Sequence, residues 1–106
     1  MTHTFQNQIA STRNGFKHTS TLYIDGKEVS TATIYYINRT WEAYEYRTSM
    51  RTATTNAMEQ IEAAELSDYK TSHGYKRMTS QRVAAFRQHM QTIPEYAACE
   101  NIYNAL

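Results

Sequence analysis

Residues 21–29 read TLYIDGKEV, and this stretch decides the fold of the first half of the chain. Asp25 and Gly26 stand between two runs of β-branched and aromatic residues, a strong short-range signal for a tight β-hairpin. The run STATIYYI follows at 30–37, and after it come NRT and WEAYEY. Period-two alternation along these runs predicts a three-stranded antiparallel meander, with strands at 17–24, 28–37 and 41–46.

Strand parity assigns each side chain of this predicted meander to one of two faces. Tight loops at Asp25-Gly26 and at 38–40 would place one apolar set on a common face, which we expect to pack on a helix. That set is Leu22, Ile24, Val29, Tyr35, Ile37, Trp41 and Ala43. The opposite face mixes aromatic and acidic residues: Tyr23, Glu28, Ile34, Tyr36, Glu42, Tyr44 and Tyr46. A four-residue loop after Ile37 would exchange the faces of the third strand.

The second half of the chain has the period of a helix. An apolar stripe predicts a long helix that ends near Asp68, before a loop at Gly74. Thr79 is expected to cap a second helix, and a capping-box pattern at 92–95 predicts the start of a third. The fold class is therefore α+β, a meander packed on a long helix and followed by two shorter helices. The stripe consists of Tyr46, Met50, Ala53, Ala57, Ile61 and Ala64.

Length and composition indicate one globular domain. The chain has 106 residues, of which 41% are hydrophobic, with three glycines and one proline. We expect the domain to cover residues 17–106, preceded by a polar tail at 1–16 that is frayed or forms one short helical turn. No apolar run is long enough to span a membrane, and no secretory signal is recognisable, so the predicted location is the cytoplasm. The net charge of +1 gives no general attraction to nucleic acid or acidic membranes.

Residues that could carry catalysis or bind a metal do not form a recognisable pattern. The four histidines lack metal-ligand spacing, and the single cysteine, Cys99, lies on the apolar stripe of the last predicted helix. No phosphate-binding glycine loop or nucleophile motif is present. We therefore expect no catalytic residue, metal or cofactor, and no enzyme. The NRT at 38–40 matches a glycosylation pattern but is interpreted as a turn.

Two candidate binding regions remain. The aromatic second face and the hairpin tip predict a protein-binding site, because tyrosine and arginine are enriched at interfaces. Its residues are Tyr23, Tyr36, Arg39, Glu42 and Tyr44. The alternative is a nucleic-acid site on the basic segment 70–87, which could instead neutralise the acidic segment 59–68. Its residues are Lys70, Lys76, Arg77, Arg82 and Arg87. Tyrosine-rich strand edges could also pair between chains, which leaves a homodimer as a further alternative.

The segment ATIYYINRTWEAYEYRTSM at 32–50 resembles a hairpin pattern of small proteins encoded by phages and related mobile elements. The later segment YKRMTSQRVAAFRQHM, at 75–90, is similar to a basic helix that often follows in them. The resemblance covers about residues 20–92 and brings no catalytic or binding residue with it. It implies a protein that acts in the cytoplasm of a bacterial host. Such proteins include inhibitors of bacterial defence, anti-CRISPR proteins among them, so the implied partner is a CRISPR effector or another defence protein.

Overall fold

The structure is a computed structural model that describes residues 1–42 and 44–106. A three-stranded antiparallel sheet of order β1-β2-β3 is followed by one long and two shorter helices. The predicted α+β class and the order of elements are confirmed. Within the described ranges, no helix is both long and apolar enough to cross a membrane. The elements are β1 (His3–Thr12), β2 (Gly15–Ile24), β3 (Lys27–Ile37), α1 (Glu45–His73), α2 (Ser80–Met90) and α3 (Pro94–Ala105).

The first strand lies where a polar tail was expected. β1 pairs with β2 along its whole length, from His3 opposite Ile24 to Thr12 opposite Gly15. The prediction of a frayed tail or helical turn before residue 16 is therefore wrong. β1 is polar because it is an edge strand whose side chains are mostly exposed, so it lacks the apolar alternation of a buried strand.

Residues 41, 42 and 44–46 are not in a strand, so the prediction of a third strand at 41–46 is also wrong. β3 is the last strand, and Asn38 follows it with a left-handed φ of 57°. The chain then turns toward α1, where the Glu45 carboxylate accepts a hydrogen bond from the Glu42 N–H at 3.2 Å. The Glu45 N–H donates in return to the Glu42 carbonyl at 3.0 Å. The two bonds close a turn immediately before α1, whose N-cap residue, Tyr44, makes no side-chain capping bond. Ala43, which was assigned to the predicted core face, lies outside the described residues.

The hairpin at Asp25-Gly26 is confirmed, and a β-bulge follows it. Asp25 and Gly26 have φ values of 50° and 80°, as a type I′ turn requires. Beyond the turn the register shifts by one residue between Tyr23 and Leu22, which leaves Val29 without a partner. One extra residue moves all later side chains of β3 to the other face of the sheet.

The core lies between the sheet and the first half of α1. Small residues of α1, Ala53 and Ala57, are buried there, and α3 packs beside them. Ile61 is half-buried against the core, but Ala64 is exposed, so the predicted stripe is longer than the buried one. α1 also continues past the predicted end at Asp68. The core residues are Leu22, Ile24, Ala32, Ala53, Ala57, Cys99 and Ile102.

The ends of the helices agree with the sequence signals at Gly74, Thr79 and Pro94 and differ at Thr92. The left-handed Gly74 caps α1, and Thr79 caps α2 by accepting a hydrogen bond from the Arg82 N–H at 3.3 Å. α3 begins at Pro94, where a missing N–H costs nothing. The predicted capping box at 92–95 is wrong, because the Thr92 hydroxyl donates to the His89 carbonyl at 2.7 Å and so belongs to the end of α2.

Gly15 provides a test of the sheet register. A Cβ at this position would overlap the carbonyl oxygen of Tyr36 on the neighbouring strand. We expect Gly15→Ala to lower the free energy of unfolding by about 3 kcal/mol, because the two strands must separate to admit the methyl group. Gly74→Ala is the matched control, since its methyl group meets no atom within 4 Å. Only its positive φ is strained, at a cost of about 1 kcal/mol. Urea unfolding measures both variants, and equal losses would contradict the register.

Candidate binding surfaces

The bulge reverses the predicted faces of the aromatic residues in β3. Tyr35 and Ile37 are 65% and 64% exposed on the side of the sheet away from the helices, called the open face below. Tyr36 is half-buried on the helix-covered face, where its ring stacks on Phe16 with 4.7 Å between ring centroids. The assignment of Tyr35 and Ile37 to the core is therefore wrong, as is the assignment of Tyr36 to the second face. The cause is the unpaired Val29, which the parity rule counts as a paired residue.

Aromatic rings cover the end of the sheet from which the chain leaves for α1. The Trp41 ring lies 5.7 Å from Phe16 and 4.4 Å from Tyr46, measured between centroids. Trp41 reaches this position from the connection after β3, without being part of a strand. Trp41 was predicted to lie in the core, but it is half-buried at the rim of the core. These rings form the aromatic cluster, which consists of Phe16, His18, Tyr36, Trp41 and Tyr46.

Arg39 neutralises a buried carboxylate beside the aromatic cluster. The Glu45 side chain is 1% exposed, and the Arg39 guanidinium lies 2.5 Å from its Oε1. Arg39 also donates to the Tyr44 hydroxyl at 2.7 Å and lies over the Tyr36 ring at 5.4 Å. The hydrogen bond to Tyr44 and the charge of Glu45 raise the pKa of the guanidinium above its ordinary value. Arg39, predicted as a contact residue at a hairpin tip, is therefore engaged in holding the start of α1.

His18 lies at the centre of the same region, under α1. Its ring is completely buried, with its Nε2 atom 3.0 Å from the Asn7 Oδ1 and its centroid 4.6 Å from that of Tyr46. Burial lowers the pKa of His18 below 6.5, although the nearby backbone and charge of Glu45 act in the opposite direction. Burial therefore favours the neutral imidazole over the charged one. Neither His18 nor Glu45 was identified from the sequence, and Glu42 is not one of the residue types whose spacing to a glutamate three positions later marks a helix start.

The five predicted protein-binding residues do not form one surface. Tyr23 lies on the open face, near the Asp25 turn, and its hydroxyl donates to Gln6 Oε1 at 3.1 Å. The Phe16–Tyr36 pair is seven residues away along β2, a distance of roughly 23 Å. Arg39, Glu42 and Tyr44 lie near Tyr36, at that far end. Of the five, Tyr44 presents a large exposed aromatic side chain, with 59% of its surface accessible.

The open face carries an exposed patch that the sequence did not predict. Tyr35 pairs across the sheet with Lys17, and Ile37 pairs with Gly15, which has no side chain to cover it. The Thr19 and Thr33 hydroxyls are hydrogen-bonded to each other at 2.9 Å, which gives the neighbouring surface a regular, uncharged character. We call this surface the open-face patch, and it consists of Lys17, Thr19, Thr33, Tyr35 and Ile37.

Basic residues gather around Tyr75 at the junction of α1 and α2. The Arg82 guanidinium lies 3.8 Å above the Tyr75 ring and donates to the Arg77 carbonyl at 3.0 Å. Lys70 and Lys76 line a groove of about 770 Å³, to which Tyr75 also contributes. We call this surface the basic corner, and it consists of Lys70, Tyr75, Lys76, Arg77 and Arg82. Arg87 lies farther along α2, where its charge acts on Tyr96 of α3.

The acidic and basic segments do not neutralise each other by direct contact. Within the described part of the chain no ion pair joins residues 59–68 to residues 70–87, and the Glu65 carboxylate instead contacts the Nε2 atom of His89, beyond the basic segment, at 3.3 Å. The predicted nucleic-acid residues Lys70, Lys76, Arg77, Arg82 and Arg87 form no ion pair within 4 Å among the residues that the structure describes. Their positive charge is therefore available to a ligand. Likewise, no group of three or more potential metal ligands occurs in residues 1–42 and 44–106.

The ion pair between Arg39 and Glu45 predicts an effect on stability. We expect Arg39→Ala to lower the melting temperature, because the buried Glu45 carboxylate loses its counter-charge. Arg13→Ala, in the exposed turn between β1 and β2, is the matched control and should leave the melting temperature unchanged. Thermal unfolding followed by circular dichroism measures both. An unchanged melting temperature for Arg39→Ala would show that the ion pair contributes nothing to the fold.

The buried His18 predicts a pH dependence of stability. Below pH 6.5 the unfolded chain binds a proton at His18 more readily than the folded protein does. The free energy of unfolding should therefore decrease as the pH is lowered below 6.5. The stability that the neutral His18 contributes is fully present above pH 6.5, and it is lost as the pH falls through the lower pKa of the folded state. His18→Gln should flatten this part of the profile, whereas His3→Gln, at an exposed position, should not. Urea unfolding between pH 7.5 and 5 measures it, and an identical slope in His18→Gln contradicts the assignment.

Comparison of the chain with protein-family models, with curated proteins and with solved structures found no match. The open-face patch and the basic corner are therefore the physical basis for a functional proposal.

Proposed function

We propose that the protein is a non-enzymatic inhibitor of phage type that binds a host protein stoichiometrically, in the class of anti-CRISPR and other anti-defence proteins. The observation that carries the proposal is the exposure of Tyr35 and Ile37 on the open face of the sheet. The class follows from the resemblance of residues 32–50 to small phage proteins, and the target is a CRISPR effector or another defence protein in the host cytoplasm.

The open-face patch has the properties of a protein interface. Tyrosine offers a large, rigid surface with one polar end, and such residues contribute much of the binding energy at interfaces. A partner that fully covers Ile37 gains about 1.5–3 kcal/mol from its removal from water. Lys17 adds one positive charge beside Tyr35, which suits an acidic side chain on the partner. A single lysine is too little charge for a face that follows a phosphate backbone.

The exposed residues after β3 extend this proposed surface around the end of the sheet. Glu42 and Tyr44 are proposed as further contacts, since both are exposed. Arg39 is proposed to act indirectly, because its guanidinium holds the Tyr44 hydroxyl at 2.7 Å and so orients that ring. Tyr36 supports Arg39 from below. Tyr23 lies on the same face of the sheet but far from Tyr35 and Ile37, so it is not proposed as a contact.

A second function, binding to nucleic acid, is favoured by the basic corner. Its lysines and arginines have no acidic partner among the described residues, and the Arg82 guanidinium is held over the Tyr75 ring. If the basic corner neutralises four phosphates, raising the salt concentration fourfold should lower its affinity for nucleic acid about a hundredfold. This function would use the opposite end of α1 from the aromatic cluster, so variants can separate the two functions.

Capture from a nuclease-treated bacterial host lysate tests the first function. The double variant Tyr35→Ser/Ile37→Ser should reduce capture of the partner at least tenfold, and the purified complex should saturate at one partner for each protein. Tyr23→Ser is the matched control, because it removes a tyrosine from the same face roughly 23 Å away. Unchanged melting temperatures must accompany both results. A partner that still binds the double variant would contradict the proposal.

A second double variant, Lys70→Ala/Lys76→Ala, decides between the two functions. Mobility-shift titration with duplex and single-stranded DNA and RNA at 50 mM and 200 mM salt measures nucleic-acid binding directly. If the first function is correct, Lys70→Ala/Lys76→Ala gives the same mobility shift as the wild-type protein and still binds the protein partner. A shift at low salt that this double variant abolishes would assign the basic corner to nucleic acid instead.

A further inference from the structure

The outer edge of β1 lacks the features that keep sheet edges from pairing with other strands. Its ten residues, HTFQNQIAST, contain no lysine, arginine, acid or proline. Its register with β2 runs without a bulge from His3 to Thr12. The other edge strand, β3, is protected by Lys27 and Glu28 and by the bulge at Val29. Long, flat edges without charges or bulges are templates for a further strand.

The free backbone groups of this edge belong to alternate residues. The Thr2 carbonyl accepts a hydrogen bond from the Asp25 N–H at 2.9 Å, so Thr2 directs its backbone groups toward β2. In an antiparallel ladder the direction alternates with each residue. The even-numbered residues of β1 therefore bond to β2. The residues that direct N–H and C=O groups outward are His3, Phe5, Asn7, Ile9 and Ser11.

We propose that two copies of the protein pair along β1 in antiparallel orientation, centred on Asn7, to form a continuous six-stranded sheet. This register places all five outward residues of one copy opposite those of the other. Asn7 meets Asn7 of the second copy, and Phe5 meets Ile9 of the second copy on the helix side. Ile9 is 39% exposed, so the pairing covers an apolar side chain with an aromatic one.

The strand is thus complementary to itself in three respects. Its outward hydrogen-bonding groups coincide under the two-fold axis, its apolar residues meet each other, and no charged pair is brought together. α1 packs across β2 and β3 and touches β1 through a contact of 3.8 Å between Asn7 Nδ2 and Met50 Sδ. The helix side of β1 therefore has room for the second copy. Because the two-fold axis is perpendicular to the sheet, both α1 helices lie on the same side of it.

The exposed surface of the chain is large enough to supply such an interface. The accessible area is 7143 Å², whereas a compact monomer of 12.3 kDa exposes about 6,100 Å². The difference, about 1,000 Å², exceeds the roughly 800 Å² that each partner contributes to a stable complex. The Cα radius of gyration, 16.8 Å, is likewise larger than the value of about 13 Å for a compact domain of this length.

Light scattering after gel filtration tests the dimer. The wild-type chain should elute with twice the monomer mass of 12.3 kDa and dissociate on dilution. Ile9→Pro removes an outward N–H but no hydrogen bond to β2, so this variant should be monomeric and folded. Arg13→Pro is the matched control, because it adds proline to the same hairpin at the turn, and it should remain dimeric. A monomer at all concentrations, or a dimer that persists in Ile9→Pro, overturns the proposal.

A cysteine pair tests the register, and it does not depend on how well the proline variant folds. In the proposed pairing the two Asn7 Cα atoms are about 5.5 Å apart, within the range of a disulfide. Asn7→Cys should therefore form covalent dimers under mild oxidation. Gln8→Cys should not, because its two copies are offset by two residues and lie more than about 7 Å apart. The native Cys99 is fully buried and common to both variants. Equal cross-linking of both variants, or of neither, rules out the register.

Discussion

One unpaired residue in the sheet, Val29, determines which side chains of β3 face the helices. Because side chains alternate between faces, a single inserted residue exchanges the faces of all residues after it. The exchange places the small residues Ser30 and Ala32 under α1, where Ser30 donates a hydrogen bond to the Ala53 carbonyl. Small residues on both elements allow the helix to lie close to the sheet. The same shift places Tyr35 and Ile37 on the open face.

The buried charge at the start of α1 depends on this arrangement. Tyr36 points toward the helix side because of the bulge, and Arg39 lies over its ring on the way to Glu45. An ionised carboxylate that is 1% exposed requires an opposite charge, and Arg39 supplies it. The polar NRT at 38–40 is therefore the connection that brings the Arg39 guanidinium to Glu45, the first residue of α1. Its exposed neighbour Tyr44 is oriented by the same guanidinium.

Strong local signals predicted much of the fold. The Asp25-Gly26 turn, the Ala53–Ala57 stripe of α1, the Thr79 cap and the start of α3 at Pro94 all depend on residues within a few positions of each other. The candidate surfaces depend on longer-range facts. β1 was missed because an edge strand needs no apolar alternation. The open-face patch was missed because no local feature of the sequence marks Val29 as unpaired, so the parity rule reversed Tyr35 and Tyr36.

The central claim is the division of neighbouring tyrosines between two faces, since both the polar contact at α1 and the proposed binding surface follow from it. Nuclear Overhauser contacts between aromatic side chains measure this division directly in solution. The account predicts cross-peaks between the rings of Tyr36 and Phe16, whose centroids are 4.7 Å apart, and none from Tyr35 to Phe16 or Trp41. Cross-peaks from Tyr35 to Trp41, with Tyr36 free of contacts to Phe16, would contradict it.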